Sequence, residues 1–446
     1  MSSKSSITEG SIIKPLLFFF FPILFGTFFQ QLYNTVDALV IGNFLGKEVL
    51  AAVGGTTGVY LNLFVGFFTG LGSGATVLVS QFFGMNNYNR ISRTVHTSIT
   101  ISIVFGILLT FLIFTTSKTA LTILGVPLEI LDMSMEYIEI CSIGLVSMML
   151  YNMGCSILRA VGDSKHPLYF LIVSCIVNIV LDILFVYKFS MGVKGVALAT
   201  IIAQSVSAFL VILSLIKSDD ALHLNLKELS IDKSILKDSF RIGLPAGIQS
   251  VLYTISNLLI TSAINSFGVN AIAANTAFGK IDAIFWMIDG AFGVAITTFV
   301  GQNYGAGKME RVSKGNNQWM IIATVISICI SLVCIFFAPN LLGLFNSDPE
   351  VIAIGKTIIQ YVAPFWITFI PIEILSGTLR GMGDSFIPTV ITAIGIVGIR
   401  VIWILSMPDT SFITVFMVYP ISWIITSLVF IIYYYSGIYK KHLKRA

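Results

Sequence analysis

Apolar residues in this chain fall in long unbroken blocks, with neither the alternation of a half-buried strand nor the one-sided stripe of a surface helix. The first block runs from Leu16 to Ile41 and begins with the phenylalanines Phe18 to Phe21. Eleven similar blocks follow. Many reach 18 or more positions, the length an α-helix needs to cross a hydrocarbon layer of about 30 Å. The pattern predicts helices over 15–41, 49–77, 92–116, 132–158, 167–188, 193–216, 239–265, 271–300, 317–338, 351–379, 387–406 and 412–435. The blocks are too long for the strands of an outer-membrane barrel, which alternate over about 10 residues. The first block has no small-residue cleavage site and reads as a retained helix, not a signal peptide. The fold class is therefore all-α and integral to the membrane, with twelve transmembrane helices.

Composition agrees. Of 446 residues, 56% are hydrophobic and 11% charged, against roughly 25% charged in a soluble domain. So few charges could not cover a soluble surface of this size. The net charge of +4 does not imply a nucleic-acid partner, because the basic residues lie in short loops. Those residues orient the chain instead. With the N-terminus inside, 19 Lys and Arg, from Lys4 to Lys441, Lys444 and Arg445, fall on inner segments and 5 on the outer side. Both termini are thus expected in the cytoplasm, and the protein in the cytoplasmic membrane. The five cysteines, Cys141, Cys155, Cys175, Cys329 and Cys334, sit in apolar blocks without CxxC spacing and read as buried free thiols.

The chain is also duplicated. Ser11-Ile-Ile-Lys matches Ser234-Ile-Leu-Lys, Pro22 matches Pro245, Asn34 matches Asn257, and Arg90 matches Arg311. Leu158-Arg-Ala-Val-Gly-Asp matches Leu379-Arg-Gly-Met-Gly-Asp, and the offset stays between 221 and 223 throughout. Each repeat holds six helices, an even number, so both have the same orientation. The expected organisation is a first six-helix lobe over 1–216, a cytoplasmic linker over 217–238 and a second lobe over 239–446, related by a pseudo-two-fold axis along the membrane normal. Bundles of this build are expected to rock about a cavity between them.

Charges inside membrane helices are expensive and are functional candidates by default. In the first lobe these are Asp37 and Asp182. Counting 1.5 Å per residue places both in the outer halves of their helices, at a depth shared by Thr200. Asn178 precedes Asp182 by one turn, on the same face. Two carboxylates with amide and hydroxyl oxygens suit Na⁺; a carboxylate pair in low dielectric equally suits a proton. Alternatively, each acid caps a helix end or snorkels to the outer surface. Asp37 corresponds to Ile260 and Asp182 to Trp403 in the second repeat. The scaffold was duplicated and the acids were not, which points to one coupling site.

The second lobe carries Lys280, Asp282, Asp289, Glu373 and Arg400. Asp282 and Asp289 share a helix face, and with Trp286 and Met287 they could line a cavity for cationic aromatic molecules. Structural ion pairing, such as Glu373 with Arg400, or core packing explains the same residues. Arg159 to Asp163 and Arg380 to Asp384 read as helix-end braces. Pro22 and Pro245 permit bends in their helices. Gly70, Gly72, Gly74 and Ala75 permit close helix packing.

Together these residues resemble the multidrug and toxic compound extrusion (MATE) family. The matching stretches are Pro22 with Thr35-Val-Asp-Ala-Leu-Val-Ile-Gly, Gly72-x-Gly-Ala-x-x-x-x-Ser-Gln-x-x-Gly84, Leu158-Arg-Ala-x-Gly-Asp and Asn178-x-x-x-Asp182. Asp37 with the Asn178–Asp182 pair is similar to the branch named for a DNA-damage-inducible protein, with its cation site in the N-terminal lobe. That resemblance implies Asp37, Asn152, Asn178, Asp182 and Thr200 as ion-coupling residues, with Asp37, Asn178 and Asp182 as the ligands if the ion is Na⁺. It implies a drug-cavity role for Met287. Tyr253 stands where the sister branch has an acid, which argues against a second cation site.

The leading expectation is a monomeric secondary antiporter that exports small organic compounds, cationic or amphipathic and aromatic, in exchange for H⁺ or Na⁺. It would need no other cofactor, and its partners would be those solutes and membrane lipids. A flippase for lipid-linked oligosaccharides is the alternative, but its pyrophosphate cargo calls for a cavity rich in Arg and Lys. An enzyme is not expected. The histidines His96, His166, His223 and His442 lie near helix ends or in loops, and neither HExxH nor a Walker A motif occurs.

Overall fold

The computed structural model describes residues 7–406 and 411–440. Lys4, Lys441, His442, Lys444 and Arg445 lie outside the described residues. Among the described residues every regular element is helical. Eleven helices of the described residues are long and apolar enough to cross a membrane. They are α1 (Ile13–Phe44), α2 (Glu48–Gly84), α3 (Tyr88–Ile123), α5 (Lys165–Lys188), α6 (Gly192–Ile216), α7 (Lys233–Asn265), α8 (Val269–Gly305), α9 (Met309–Phe336), α10 (Pro349–Gly381), α11 (Phe386–Ser406) and α12 (Phe412–Tyr435). The remaining span, α4, is a pair of helices, Leu128–Ile143 and Leu145–Ala160, bent by 50°.

Local chemistry explains where these helices depart from the sequence pattern. α3 begins four residues before the predicted 92, because Asn87 caps it by accepting from the Arg90 amide at 3.1 Å. The bend in α4 falls at Gly144, whose amide closes back on the Cys141 carbonyl at 3.0 Å. A Cβ there would stand 2.9 Å from Ile201 Cγ1. α10 tightens to a 3₁₀ turn over Ala363–Thr368, where Pro364 removes an amide donor. Two π-helical segments interrupt the α-ladder. One, Ile183–Lys188, directly follows Asp182, and the other, Ala393–Gly398, ends two residues before Arg400.

Packing divides the chain into two compact units: Phe18–Gly247, here the N-terminal unit, and Ile248 onward with the residues up to Leu17, here the C-terminal unit. The sequence division falls in the 217–238 linker; the packing division falls inside α1 and α7. In the N-terminal unit the reason is visible. The start of α7 lies backbone to backbone on α2. A Cβ on Gly74 would collide with the Ser239 carbonyl, one on Gly70 with the Gly247 amide, and one on Gly243 with the Leu71 carbonyl. Two small-xxx-small steps, Gly70/Gly74 and Gly243/Gly247, thus face each other. Gly72 takes no part in this contact and meets Met153 instead. The linker docks in the same unit. The Asn225 amide donates to His96 Nε2 and the Asp232 amide to Thr97 Oγ1, both at 3.1 Å. In the C-terminal unit, Arg311 donates to the carbonyls of Ile7, Glu9, Gly10 and Ser11 at 2.7–3.2 Å.

Candidate functional site

The N-terminal unit contains a cavity of about 370 Å³, with Gln30, Tyr33, Asn34, Asp37, Tyr137 and Thr200 among its lining residues. Helical periodicity builds one wall: Tyr33 and Asp37 are one turn apart on α1, so both face inward. Tyr33 Oη donates to Thr200 Oγ1 on α6 at 3.3 Å, and the same hydroxyl lies within reach of the Asp37 carboxyl.

The carboxyls of Asp37 and Asp182 lie side by side, within hydrogen-bonding distance of each other. Asp182 is the last α-helical residue of α5 before the π-helical segment, and Asn178 lies one turn earlier. Both are fully buried. No donor reaches Asp37 Oδ1 or either oxygen of Asp182, and neither polar atom of the Asn178 side chain has a partner. Buried polar atoms are nearly always bonded, so this cluster is unusual. Two ionised carboxylates are both acceptors and repel. A proton shared between them, or a small cation held by their oxygens with those of Asn178, satisfies the site. Among the described residues no group of three or more His, Cys, Asp or Glu gathers as a metal cage, so a cation here would also draw on amide, hydroxyl or water oxygens.

Asn152 is placed differently. Its Nδ2 donates to the Met148 carbonyl one turn back at 2.9 Å, and it does not line the cavity. Tyr33 and Tyr137 escaped the sequence reading because uncharged polar residues are not unusual in apolar helices. The one available signal was Tyr33's place a turn before Asp37.

A second cavity, of about 360 Å³, lies in the C-terminal unit. It is lined by Tyr253, Asn257, Asp282, Trp286, Asp289, Gly290, Phe369, Glu373, Arg400 and Tyr419. Asp282 holds two indoles: its Oδ2 accepts from Trp286 Nε1 at 2.7 Å and its Oδ1 from Trp366 Nε1 at 3.1 Å. Trp286 in turn stands edge-on to Phe369, 4.7 Å between centroids. Asp282 therefore shapes the aromatic wall, whereas Asp289, buried with Oδ1 unbonded, offers a free acceptor. Met287 is half-buried and does not line this cavity. Lys280 is exposed. Glu373 and Arg400 do not pair. Arg400 binds neutral groups, Asn257 Oδ1 of α7 at 3.1 Å and Ser422 Oγ of α12 at 3.4 Å, and the Glu373 carboxyl does not come within ion-pair distance.

Known proteins share this architecture. The MatE family model matches residues 22–184 and 245–404, one match per repeat. The probable multidrug resistance protein YoeA of Bacillus subtilis is 27% identical over 444 residues, 97% of this chain and 96% of that protein. The multidrug export protein MepA of Staphylococcus aureus is 23% identical over 354 residues, 79% of this chain and 78% of its own. A MOP-superfamily transporter from Pyrococcus furiosus superposes with a TM-score of 0.89 at 23% identity, covering 99% of this chain and 98% of its own. The chain belongs to the MatE family, the multidrug and toxic compound extrusion group of multi-pass membrane transporters.

Proposed function

We propose that this transporter is a secondary-active exporter of small organic compounds, driven by H⁺ or Na⁺ at Asp37 and Asp182. The observation that carries this reading is the side-by-side placement of a half-buried Asp37 and a fully buried Asp182, with no donor at Asp37 Oδ1 or at either oxygen of Asp182. Such a pair is cheap to hold with a small cation and costly without one. The names of YoeA and MepA, a multidrug resistance and a multidrug export protein, support export of organic solutes. Both termini would lie in the cytoplasm, following the Lys and Arg bias.

Coupling needs no contact between ion and solute. It needs only that the ion and the solute prefer different states. Asp37 sits on α1 and Asp182 on α5, so occupancy of the pair sets how tightly those helices hold together. α1 carries Pro22 in its interior, which leaves one backbone carbonyl without its helical donor and makes a change of curvature less costly. Trp286 and Asp289 of the second cavity are the residues proposed to meet the solute, with Asp282 holding the Trp286 ring in place.

Cells expressing Asp37→Asn or Asp182→Asn test the reading. Both variants should reach the membrane and lose efflux of ethidium. Efflux at the wild-type rate from either would remove the pair from the mechanism.

A further inference from the structure

The first turns of α7 are two-sided. Ile235, Ser239, Ile242, Gly243, Ala246 and Gly247 are buried, on the side that packs against α2. Lys233, Lys237, Arg241, Leu244 and Ile248 are exposed. At 3.6 residues per turn those five fall within about 80° of one another, across the helix from the buried side. From the helix start, the exposed face thus reads three cations and then apolar side chains, Leu244 at 37% and Ile248 at 44% exposure.

The cations are not spent inside the protein. Among the described residues no carboxylate comes within ion-pair distance of Lys233 or Lys237. Asp232, next to Lys233 in the chain, is engaged elsewhere: it accepts from the Ser234 and Ile235 amides at 2.9 and 3.2 Å and sits 3.5 Å from Arg93. The first amides of α7 are therefore capped from within the chain, and the row of side-chain cations is what stays open.

A bias of Lys and Arg toward inner segments follows from orientation alone, but it does not explain their alignment on one helix face. The duplication makes the difference visible. An offset of 223 carries Lys233, Lys237, Arg241, Leu244 and Ile248 onto Gly10, Lys14, Phe18, Phe21 and Phe25. By the even helix count, α1 starts from the same side of the membrane, yet this face of it holds a single cation. Phe18, Phe21 and Phe25 are 64%, 48% and 52% exposed, as suits a face turned to hydrocarbon. In α7 the same register keeps the apolar half and adds two cations before it.

We propose that the start of α7 binds an anionic membrane lipid, its phosphate on Lys233, Lys237 and Arg241 and its acyl chains along Leu244 and Ile248. Long basic side chains bury their stems and reach a headgroup at the boundary. Basic residues just cytoplasmic of a spanning helix attract anionic lipid. A soluble anion would use the cations and leave the apolar half of the face idle. The lipid lies on the side of α7 away from the Gly70/Gly74 and Gly243/Gly247 contact, so it holds this helix to the bilayer without touching α2. Binding needs neither the acid pair nor an exported solute.

The test is native mass spectrometry of the full chain in detergent micelles. It is titrated separately with palmitoyl-oleoyl phosphatidylglycerol, palmitoyl-oleoyl phosphatidylcholine and water-soluble glycerol phosphate. Phosphatidylglycerol should bind at least about tenfold more tightly than either of the others. Lys233→Gln with Lys237→Gln should erase its advantage over phosphatidylcholine. Lys165→Gln with Lys217→Gln removes the same charge from two other exposed positions and should preserve that advantage. Equal binding of the two lipids to the wild type overturns the proposal, whether or not the variants fold. So does an advantage that survives the α7 pair of substitutions, or one lost equally with the other pair. Glycerol phosphate binding as tightly as phosphatidylglycerol would overturn the assignment to a lipid.

Discussion

Replacing Asp37 by asparagine alters the proposed ion site with almost no change in volume. The carboxyls of Asp37 and Asp182 lie within hydrogen-bonding distance of each other. Two unit charges about 4 Å apart at an effective dielectric constant near 20 repel by about 4 kcal/mol. The variant removes that repulsion. Its new amide can also donate to Asp182, neither of whose oxygens has a partner, for a charge-assisted bond of about 1.5–3 kcal/mol. The cation-free variant should therefore be more stable than the cation-free wild type by a few kcal/mol. In a domain of 150–250 residues each kcal/mol moves the melting temperature by about 2–4 °C, so the shift should be several degrees or somewhat less. Detergent-purified protein is melted at two pH values, in NaCl and in choline chloride at equal ionic strength. The wild type should gain stability from its coupling ion, and the variant should start higher and respond to neither ion. A variant that melts lower than the wild type in choline chloride, or keeps the full ion response, refutes the reasoning.

Other consequences follow from packing and from the linker. Gly74→Val should destabilise the N-terminal unit by about 1–3 kcal/mol or more, because its side chain would collide with the Ser239 backbone carbonyl; undiminished yield and melting temperature after purification would contradict this. Asp282→Asn should release one indole or both, since an amide accepts through only one atom where the carboxylate holds Trp286 and Trp366; tryptophan emission should shift, and an unchanged spectrum would count against the wall. In the linker, the Asp232 carboxyl is held below the usual carboxylate range by the Ile235 and Ser234 amides and by Arg93, 3.5 Å away. A lowered value means that its contribution is complete above the ordinary carboxylate range and is lost as pH falls through the folded-state value. Amide exchange over residues 225–235 should therefore stay slow through neutral and mildly acidic pH and quicken only below that range. Asp232→Ala should quicken it at neutral pH.

Much of this was legible because membrane physics writes in long strokes. A block such as Leu16 to Ile41 has few alternatives to a spanning helix, and counting rise along α1 and α5 was enough to put Asp37 and Asp182 at one depth. Local interruptions were harder. Gly144 sits in a block that reads as continuous, and its bend depends on Ile201 packing from a helix distant in sequence. Pro364 was visible, but a proline inside an apolar block does not announce a 3₁₀ turn rather than a kink. The glycines of α2 signalled close packing, whereas their partners, Gly243 and Gly247, and the consequence that the start of α7 packs with the N-terminal unit, depend on tertiary structure. Side-chain pairing was least accessible. Arg400 and Glu373 looked like an ion pair from charge alone, yet Asn257 and Ser422 take the guanidinium. Asp282 lines a cavity with Trp286, as its helix face suggested, but its hold on two indoles was not readable from the sequence.

The most direct measurement is ethidium transport in proteoliposomes holding the wild type or Asp182→Asn, with either a pH gradient or a Na⁺ gradient imposed. One of the two gradients should drive dye movement by the wild type against its own concentration, and neither should drive it in the variant. Movement that needs no gradient, or that persists in Asp182→Asn, would mean that the acid pair does not power this transporter.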